Sequence, residues 1–445
     1  MKLSSSILYT FLTQIPIQLF GIISGVFIAR MIGPEGKGVF ALYQANAQLI
    51  AVFFSLSFGS ALTYFLPSGT IAKNKILAIS LYIIIACSIL IFLLLLFLNY
   101  SNYKELLFPE KYSGVLYLVW LYLFSILSII GGIATGFFQG MKKFNKLNKI
   151  LFYNSILNFL SFGLLFFIHK SNLFEIDTKI LLYCLLFVSL INIFQFIYYF
   201  YKDINIKPSF NVSYSKDFKP MIEFTLYTHL SLFIGFFNAR LSLWFLNYYL
   251  DEVAIGLFSL ATNLIVIFNM ISAPIGNVLM PFLSGENIRE KEKMFYKYSK
   301  INFTSLILLA VFSFLIANWI IPLIYGADFR SAAFLFQILL PGIIFSNVSR
   351  LYAVYIASCN KQIYNLYATI LSFVVNIVFN FILIKYFGLV GASLASTFTY
   401  FASFLTMAYF VHIKLKMPFG NYYLMNYHDI KTVSSYFKSF IKTKS

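Results

Sequence analysis

Long apolar stretches separated by short polar breaks run the length of the chain, with no strand-like alternation inside the stretches. Roughly twenty apolar residues cross a bilayer as a helix. The pattern predicts twelve such spans, at about 6–32, 37–66, 76–99, 113–139, 147–168, 179–201, 220–248, 253–282, 299–320, 330–358, 362–385 and 389–412. An outer-membrane barrel would instead need period-two alternation. No gap between spans exceeds about twenty residues. A bulky inserted domain is therefore not expected, which weighs against a membrane glycosyltransferase or a repeat-unit polymerase. The first span begins in MKLSSSILYTFLTQIP and continues to Met31 with no small-x-small cleavage site, so it reads as a span and not a cleaved signal.

The pattern also repeats. FIARMIGPEGKGVFALYQANAQLI, near the N-terminus, is echoed about 218 residues later by FLNYYLDEVAIGLFSLATNLI. In both, a polar break is followed by Gly-x-Phe opening the next apolar span, with Gly38 in the first copy and Gly256 in the second. LLFPEKY echoes LIYGADF, setting Tyr112 opposite Phe329, and Asn158 matches Asn376. A near-constant offset predicts a duplicated unit. The expected fold class is thus an all-α polytopic membrane protein of two pseudo-symmetric six-helix bundles, an arrangement typical of carriers that rock one bundle against the other. The predicted divisions are an N-terminal bundle at 1–201, a cytoplasmic linker at 202–219, a C-terminal bundle at 220–412 and a basic tail at 413–445.

Composition sharpens this. Of 445 residues, 60% are hydrophobic, 20% aromatic and 11% charged, whereas a soluble protein averages about a quarter charged. With the N-terminus inside, 23 Lys and Arg fall on the cytoplasmic side and eight, including Arg30 and Lys37, on the outer side. The positive-inside rule then puts both termini in the cytoplasm. The net charge of +18 reflects topology and anionic headgroups, not nucleic-acid binding, which needs an exposed basic domain. In the tail, Ile430, Val433, Phe437, Phe440 and Ile441 recur at helical spacing beside Lys431, Lys438 and Lys442, a pattern suited to an amphipathic helix on the inner leaflet. Cys87, Cys184 and Cys359 show no metal spacing and read as small buried thiols.

No enzyme motif is present: GPEGKG lacks Walker spacing, and there is no His-Glu-x-x-His pair, Gly-x-Ser-x-Gly elbow or carboxylate pair. No metal or organic cofactor is expected, and proton or sodium coupling stays open. Charge inside a membrane marks a site, because it costs several kcal/mol unless it faces a watery cavity. Arg240, inside span 7, is the leading candidate, with His229 and Thr225 near the same helical face. Arg350 in span 10 and Arg30 at the outer end of span 1 follow, and Glu223 near the inner end of span 7 is the one candidate coupling acid. Polar stripes add Gln14 and Gln18 in span 1, Gln44, Gln48 and Ser55 in span 2, and Thr262, Asn269 and Asn277 in span 8. Such stripes either bond helix to helix or wall a hydrated cavity. Pro16, Pro274 and Pro341 interrupt apolar helices and permit bending.

ARMIGPEGKGVFAL, between the first two spans, resembles the signature of polysaccharide-unit flippases of the Wzx type, in the multidrug/oligosaccharidyl-lipid/polysaccharide exporter superfamily. GLFSLATNLI and FGLVGASLASTFTYF, from Phe387 to Phe401, resemble further family segments, and the resemblance covers about residues 5–412. It implies a MATE-like V-shaped pair of bundles in a bacterial inner membrane. It implies transfer of undecaprenyl-pyrophosphate-linked repeat units, of O-antigen, capsule or lipopolysaccharide type, to the outer leaflet, with Arg30, Arg240 and Arg350 as candidate pyrophosphate ligands. Partners implied are the lipid-linked oligosaccharide, membrane lipids, and the glycan polymerase with its chain-length machinery. Many relatives carry an acid shortly after the span 7 arginine. Here the run is RLSLWFL with Ser242 in that place, which puts carboxylate coupling there in doubt. A multidrug exporter of the same architecture is the rival reading, but cation export normally wants buried carboxylates.

Overall fold

A backbone inside hydrocarbon must satisfy its own hydrogen bonds, and an uninterrupted helix does so. The computed structural model describes residues 3–101, 114–172, 174–284, 288–359 and 361–418, and among them regular structure is entirely helical. The predicted tail helix, Tyr112 and the Asn277 side chain lie outside the described residues.

The helices are α1 (Leu3–Ser55), α2 (Phe58–Ser68), α3 (Lys73–Tyr100), α4 (Val115–Gly140), α5 (Phe144–Lys170), α6 (Thr178–Asp203), α7 (Lys219–Tyr249), α8 (Glu252–Asn263), α9 (Ile265–Ser284), α10 (Ile288–Tyr325), α11 (Arg330–Ser358), α12 (Ile363–Phe379) and α13 (Lys385–Tyr409). Nine stretches among the described residues are long and apolar enough to cross a membrane. Two of these each contain a non-helical glycine: Gly33 in α1, with φ 63°, and Gly388 in α13, with φ 55°. Both sit in the left-handed region that glycine occupies without strain. Each glycine divides its stretch into two spans, and α7 is apolar as well, so the described residues hold twelve spans, the number hydropathy predicts.

Some span boundaries differ from expectation. Span 2 is broken at Leu56 and Ser57, whose φ values of 47° and 54° are left-handed, an arrangement costing non-glycine residues about 1–2 kcal/mol each. The ninth span extends well past its predicted start at residue 299, because α10 begins at Ile288. Lys37, counted among the outer-side charges at the very start of predicted span 2, lies inside α1 and is only 6% exposed.

The surface is inside-out relative to a soluble protein. On α3, Ile85, Ile89, Leu93 and Phe97 are exposed at every fourth position, which is one helical face turned to lipid. Leu308, Phe312, Leu315 and Trp319, spaced by three or four, form a like exposed face on α10. Helices meet through small residues, since hydrocarbon supplies little hydrophobic drive between them.

The chain packs as two compact units, one of residues 20–256 and one of the remaining described chain. The first unit thus holds α7, which the sequence division at 202–219 groups with the later helices. Within it, the linker after α6 is laid along the start of α3. Ser209 N–H donates to the Asn74 carbonyl at 3.0 Å, and Phe210 packs on Tyr82 at 5.7 Å. Lys75 Nζ meets Asp217 at 2.7 Å, holding that carboxyl below the usual carboxylate range, with Ser213 N–H as a second donor at 2.8 Å.

Also within this unit, the duplicated glycines meet. A Cβ on Gly38 would stand 1.8 Å from the Glu252 carbonyl oxygen, and one on Gly256 would stand 1.9 Å from the Pro34 carbonyl oxygen. Glu252 follows Pro34 by the same 218 positions that separate Gly256 from Gly38, so the contact is reciprocal between the two copies. A second set of contacts keeps nearly that register, with 217 positions between Gly59 and Gly276 and 218 from Gly132 and Gly136 to Arg350 and Val354. Gly59 packs on Gly132 and Gly136 in one unit, and Gly276 packs on Arg350 and Val354 in the other.

Candidate functional site

Polar contacts tie α7 to the second half of α1. His229 Nδ1 lies 3.3 Å from Ser57 Oγ, Phe233 packs on Phe53 at 5.7 Å, and Arg240 Nη2 donates to Gln48 Oε1 at 3.4 Å. Trp244 Nε1–H donates to Asn46 Oδ1 at 2.8 Å. Numbers fall on α1 as they rise on α7, so the two helices run antiparallel, with one polar contact per few turns. The sequence candidates Arg240, Gln48 and His229 are therefore brought onto one contact face.

Lys37 joins the Arg240 end of that face. Its ammonium lies 5.6 Å from the Phe40 ring centroid and within the repulsive field of the Arg240 guanidinium. Among the described residues it has no carboxylate in ion-pair reach. Two cations in a region of low dielectric, with an amide and an indole fixed beside them, form a site complementary to a multiply charged anion. Arg supplies a planar fork for phosphate oxygens, and Lys supplies a point charge.

A cavity of about 850 Å³ lies in the same unit. α1, α2, α4 and α7 contribute its wall, and Gln48 both lines it and accepts from Arg240. The cationic end and the cavity are thus joined through one amide.

The other candidates fall elsewhere. Arg350, exposed on α11, donates to Asn269 Oδ1 at 3.4 Å in the second compact unit, so these two residues are also brought together. Arg30 is exposed three residues before the Gly33 break. Gln14 and Gln18 are half-buried in the first half of α1, where Gln18 Oε1 is enclosed without a hydrogen bond among the described residues. Gln44 is half-buried one turn before Gln48. Glu223 is 60% exposed in the first turns of α7 and pairs with Lys219 at 3.8 Å, an ordinary surface ion pair remote from Arg240 along the helix. Thr225 is fully buried and donates to its own helix at the Ile222 carbonyl.

Lys37, Asn46, Trp244 and the cavity are not among the sequence candidates. A signal for Lys37 exists: it precedes Gln44 by seven residues and Gln48 by eleven, the spacing of one helical face. Counting it as an outer-side charge hid that register.

Residues 3–285 match the family model described as polysaccharide biosynthesis protein. A probable low-salt glycan biosynthesis flippase of Haloferax volcanii is 22% identical over 407 residues, covering 91% of this chain and 81% of that protein. Among solved structures, the lipid II flippase MurJ in an inward closed conformation superposes with a TM-score of 0.74 at 16% identity, covering 91% of this chain and 87% of that one. An inward-facing multidrug resistance MATE family transporter of the MOP superfamily gives 0.74 at 12% identity, covering 90% and 94%. These likenesses give the fold, a MATE-like polytopic helical fold. The family model spans well over half of the sequence, and the chain is a multi-pass membrane member of the polysaccharide biosynthesis protein family.

Proposed function

We propose that this protein is a flippase that carries a polyprenyl-diphosphate-linked oligosaccharide from the cytoplasmic to the outer leaflet by alternating access. It acts in the cytoplasmic membrane with both termini inside. Family membership and the Haloferax relative support a lipid-linked glycan as cargo. The observation that carries the reading is the Arg240–Gln48 contact, with Lys37 three turns earlier on the same face of α1 and within the field of Arg240, while Glu223 stands away on the surface. Such a site suits a diphosphate and repels organic cations, the cargo of the rival exporter reading. No cofactor and no catalytic group enters the mechanism. The protein binds, reorients and releases.

The test is transfer of a fluorescent prenyl-diphosphate-linked oligosaccharide in proteoliposomes holding the purified full-length chain. Arg240→Ala is expected to lower the transfer rate about 30-fold or more, the range for removing one partner of a desolvated charge contact. Arg240→Lys should recover only part, since the fork is lost. Full transfer by Arg240→Ala at equal protein per vesicle would refute the assignment.

A further inference from the structure

The cavity in the 20–256 unit differs in chemistry from the cationic end beside it. Its described lining holds no charged side chain; hydroxyls and two amides stand at intervals in a mainly apolar wall. Three of the hydroxyls are already committed as donors: Ser55 to the Val52 carbonyl at 3.3 Å, Thr63 to Ser60 at 2.7 Å and Ser128 to Phe124 at 2.8 Å. A hydroxyl that donates its proton to the backbone keeps its oxygen lone pairs for a ligand. These three therefore offer acceptors, while the hydroxyls of Ser60 and Thr135 and the amides of Gln48 and Gln139 can both donate and accept. Groups that carry many O–H donors match such a wall. Phosphates and carboxylates would find no cation in that lining.

The space is kept open by glycine where packing does not require it. A Cβ on Gly132 or Gly235 would meet nothing within 4 Å, and both residues line the cavity. Gly136, one turn on, is by contrast held by contact with Gly59. The duplicated register sharpens the point. The position 218 residues after Gly132 is Arg350, which in its own unit lies along Gly276 and donates to Asn269. The first copy thus lacks the charge that the second copy carries. Phe236 adds an aromatic ring to the α7 side of the wall, a surface on which the C–H face of a pyranose can lie.

We infer that this cavity is a subsite for uncharged sugars, which would make the favoured cargo a glycan whose lipid-proximal residues carry hydroxyl and N-acetyl groups but no carboxylate. The placement rests on Arg240 and Lys37 holding the diphosphate next to it. The volume of about 850 Å³ lies within the range of small-molecule sites.

Equilibrium binding to the detergent-solubilised full-length chain tests this with three synthetic ligands on one short prenyl diphosphate. One is the bare lipid, one carries a neutral N-acetylhexosamine–hexose disaccharide, and one has a hexuronic acid in place of the hexose. The neutral disaccharide should bind about tenfold more tightly than the bare lipid, the worth of one or two net hydrogen bonds. The uronic form should gain nothing over the bare lipid. Gly132→Leu and Gly235→Leu, whose Cβ atoms meet nothing within 4 Å, should abolish the tenfold gain and leave bare-lipid binding unchanged. Gly132→Arg should favour the uronic form.

A gain that survives both leucine variants, equal gains for both sugars, or bare-lipid binding that also falls when the cavity is filled, each overturns the subsite. Arg240→Ala separates this from the diphosphate assignment. If that variant binds bare lipid normally while the sugar gain remains sensitive to Gly132→Leu, the diphosphate assignment fails and the sugar cavity stands.

Discussion

A buried lysine beside an arginine costs stability unless an anion joins them, because desolvation and like-charge repulsion act in the same direction. Lys37 meets that description. Lys37→Met keeps the length and apolar stem while removing the charge. It should raise apparent thermal stability, by about 1–2 kcal/mol, and weaken binding of a prenyl diphosphate several-fold. Thermal unfolding in detergent and equilibrium binding on the same preparation check both directions, and a variant that loses stability without losing affinity would make Lys37 a structural residue. Arg240 was legible in the sequence because a charge far inside an apolar span is rare enough to demand a reason, and Gln48 because it repeats at helical spacing. Lys37 was not, because charges within a few residues of a polar break are read as outer-side charges. Only the backbone shows that α1 resumes directly after Gly33 and carries Lys37 inward.

Helices in lipid are placed by how closely their backbones approach, and here the duplicated glycines set one such approach. The sequence marked Gly38 and Gly256 as equivalent by offset, with a turn-shaping role. Their reciprocal contact with Glu252 and Pro34 is a tertiary fact that neither copy carries alone. Gly38→Leu should therefore destabilise by about 1–3 kcal/mol or more, as overpacking against backbone does, and should lower the yield of folded protein by size-exclusion chromatography. Gly21→Ala is the matched control. It also lies in α1, but its Cβ would meet nothing within 4 Å. That change should stabilise by up to about 1 kcal/mol through helix propensity. If both behave alike, the crossing is not a tight one. The break at Leu56 and Ser57 had no signal of its own, since neither glycine nor proline marks it. Left-handed φ at two ordinary residues is imposed by surroundings, here the Ser57–His229 contact and the packing of α2 on α4 through Gly59.

At the scale of the whole molecule, the number of spans was legible because the bilayer imposes a minimum apolar length on each, and α1 and α13 obey it even where a single glycine is the only punctuation between two crossings. The packing partner of α7 was not legible. Hydropathy assigns a helix to the membrane but says nothing about its neighbours, and those are set by contacts such as Trp244–Asn46. Orientation is a third quantity, carried by charge alone. α5 is 27 residues long, about 40 Å at 1.5 Å per residue, so its two ends must open on opposite faces of a bilayer. Lys142, Lys143, Lys146 and Lys149 cluster at its start, and Lys170 stands at its end. By the positive-inside rule the start is expected in the cytoplasm. Asn145 and Ser171 are both exposed at these ends. In a background with Cys87, Cys184 and Cys359 replaced by alanine, Ser171→Cys should react with a membrane-impermeant maleimide in intact cells, and Asn145→Cys only after permeabilisation. Labelling of both from one side would remove α5 as a membrane span, whereas reversed labelling would keep the helices but invert the protein. Inversion would put the basic linker and tail outside, against the charge rule, and would reverse the direction of transfer assigned to the diphosphate site.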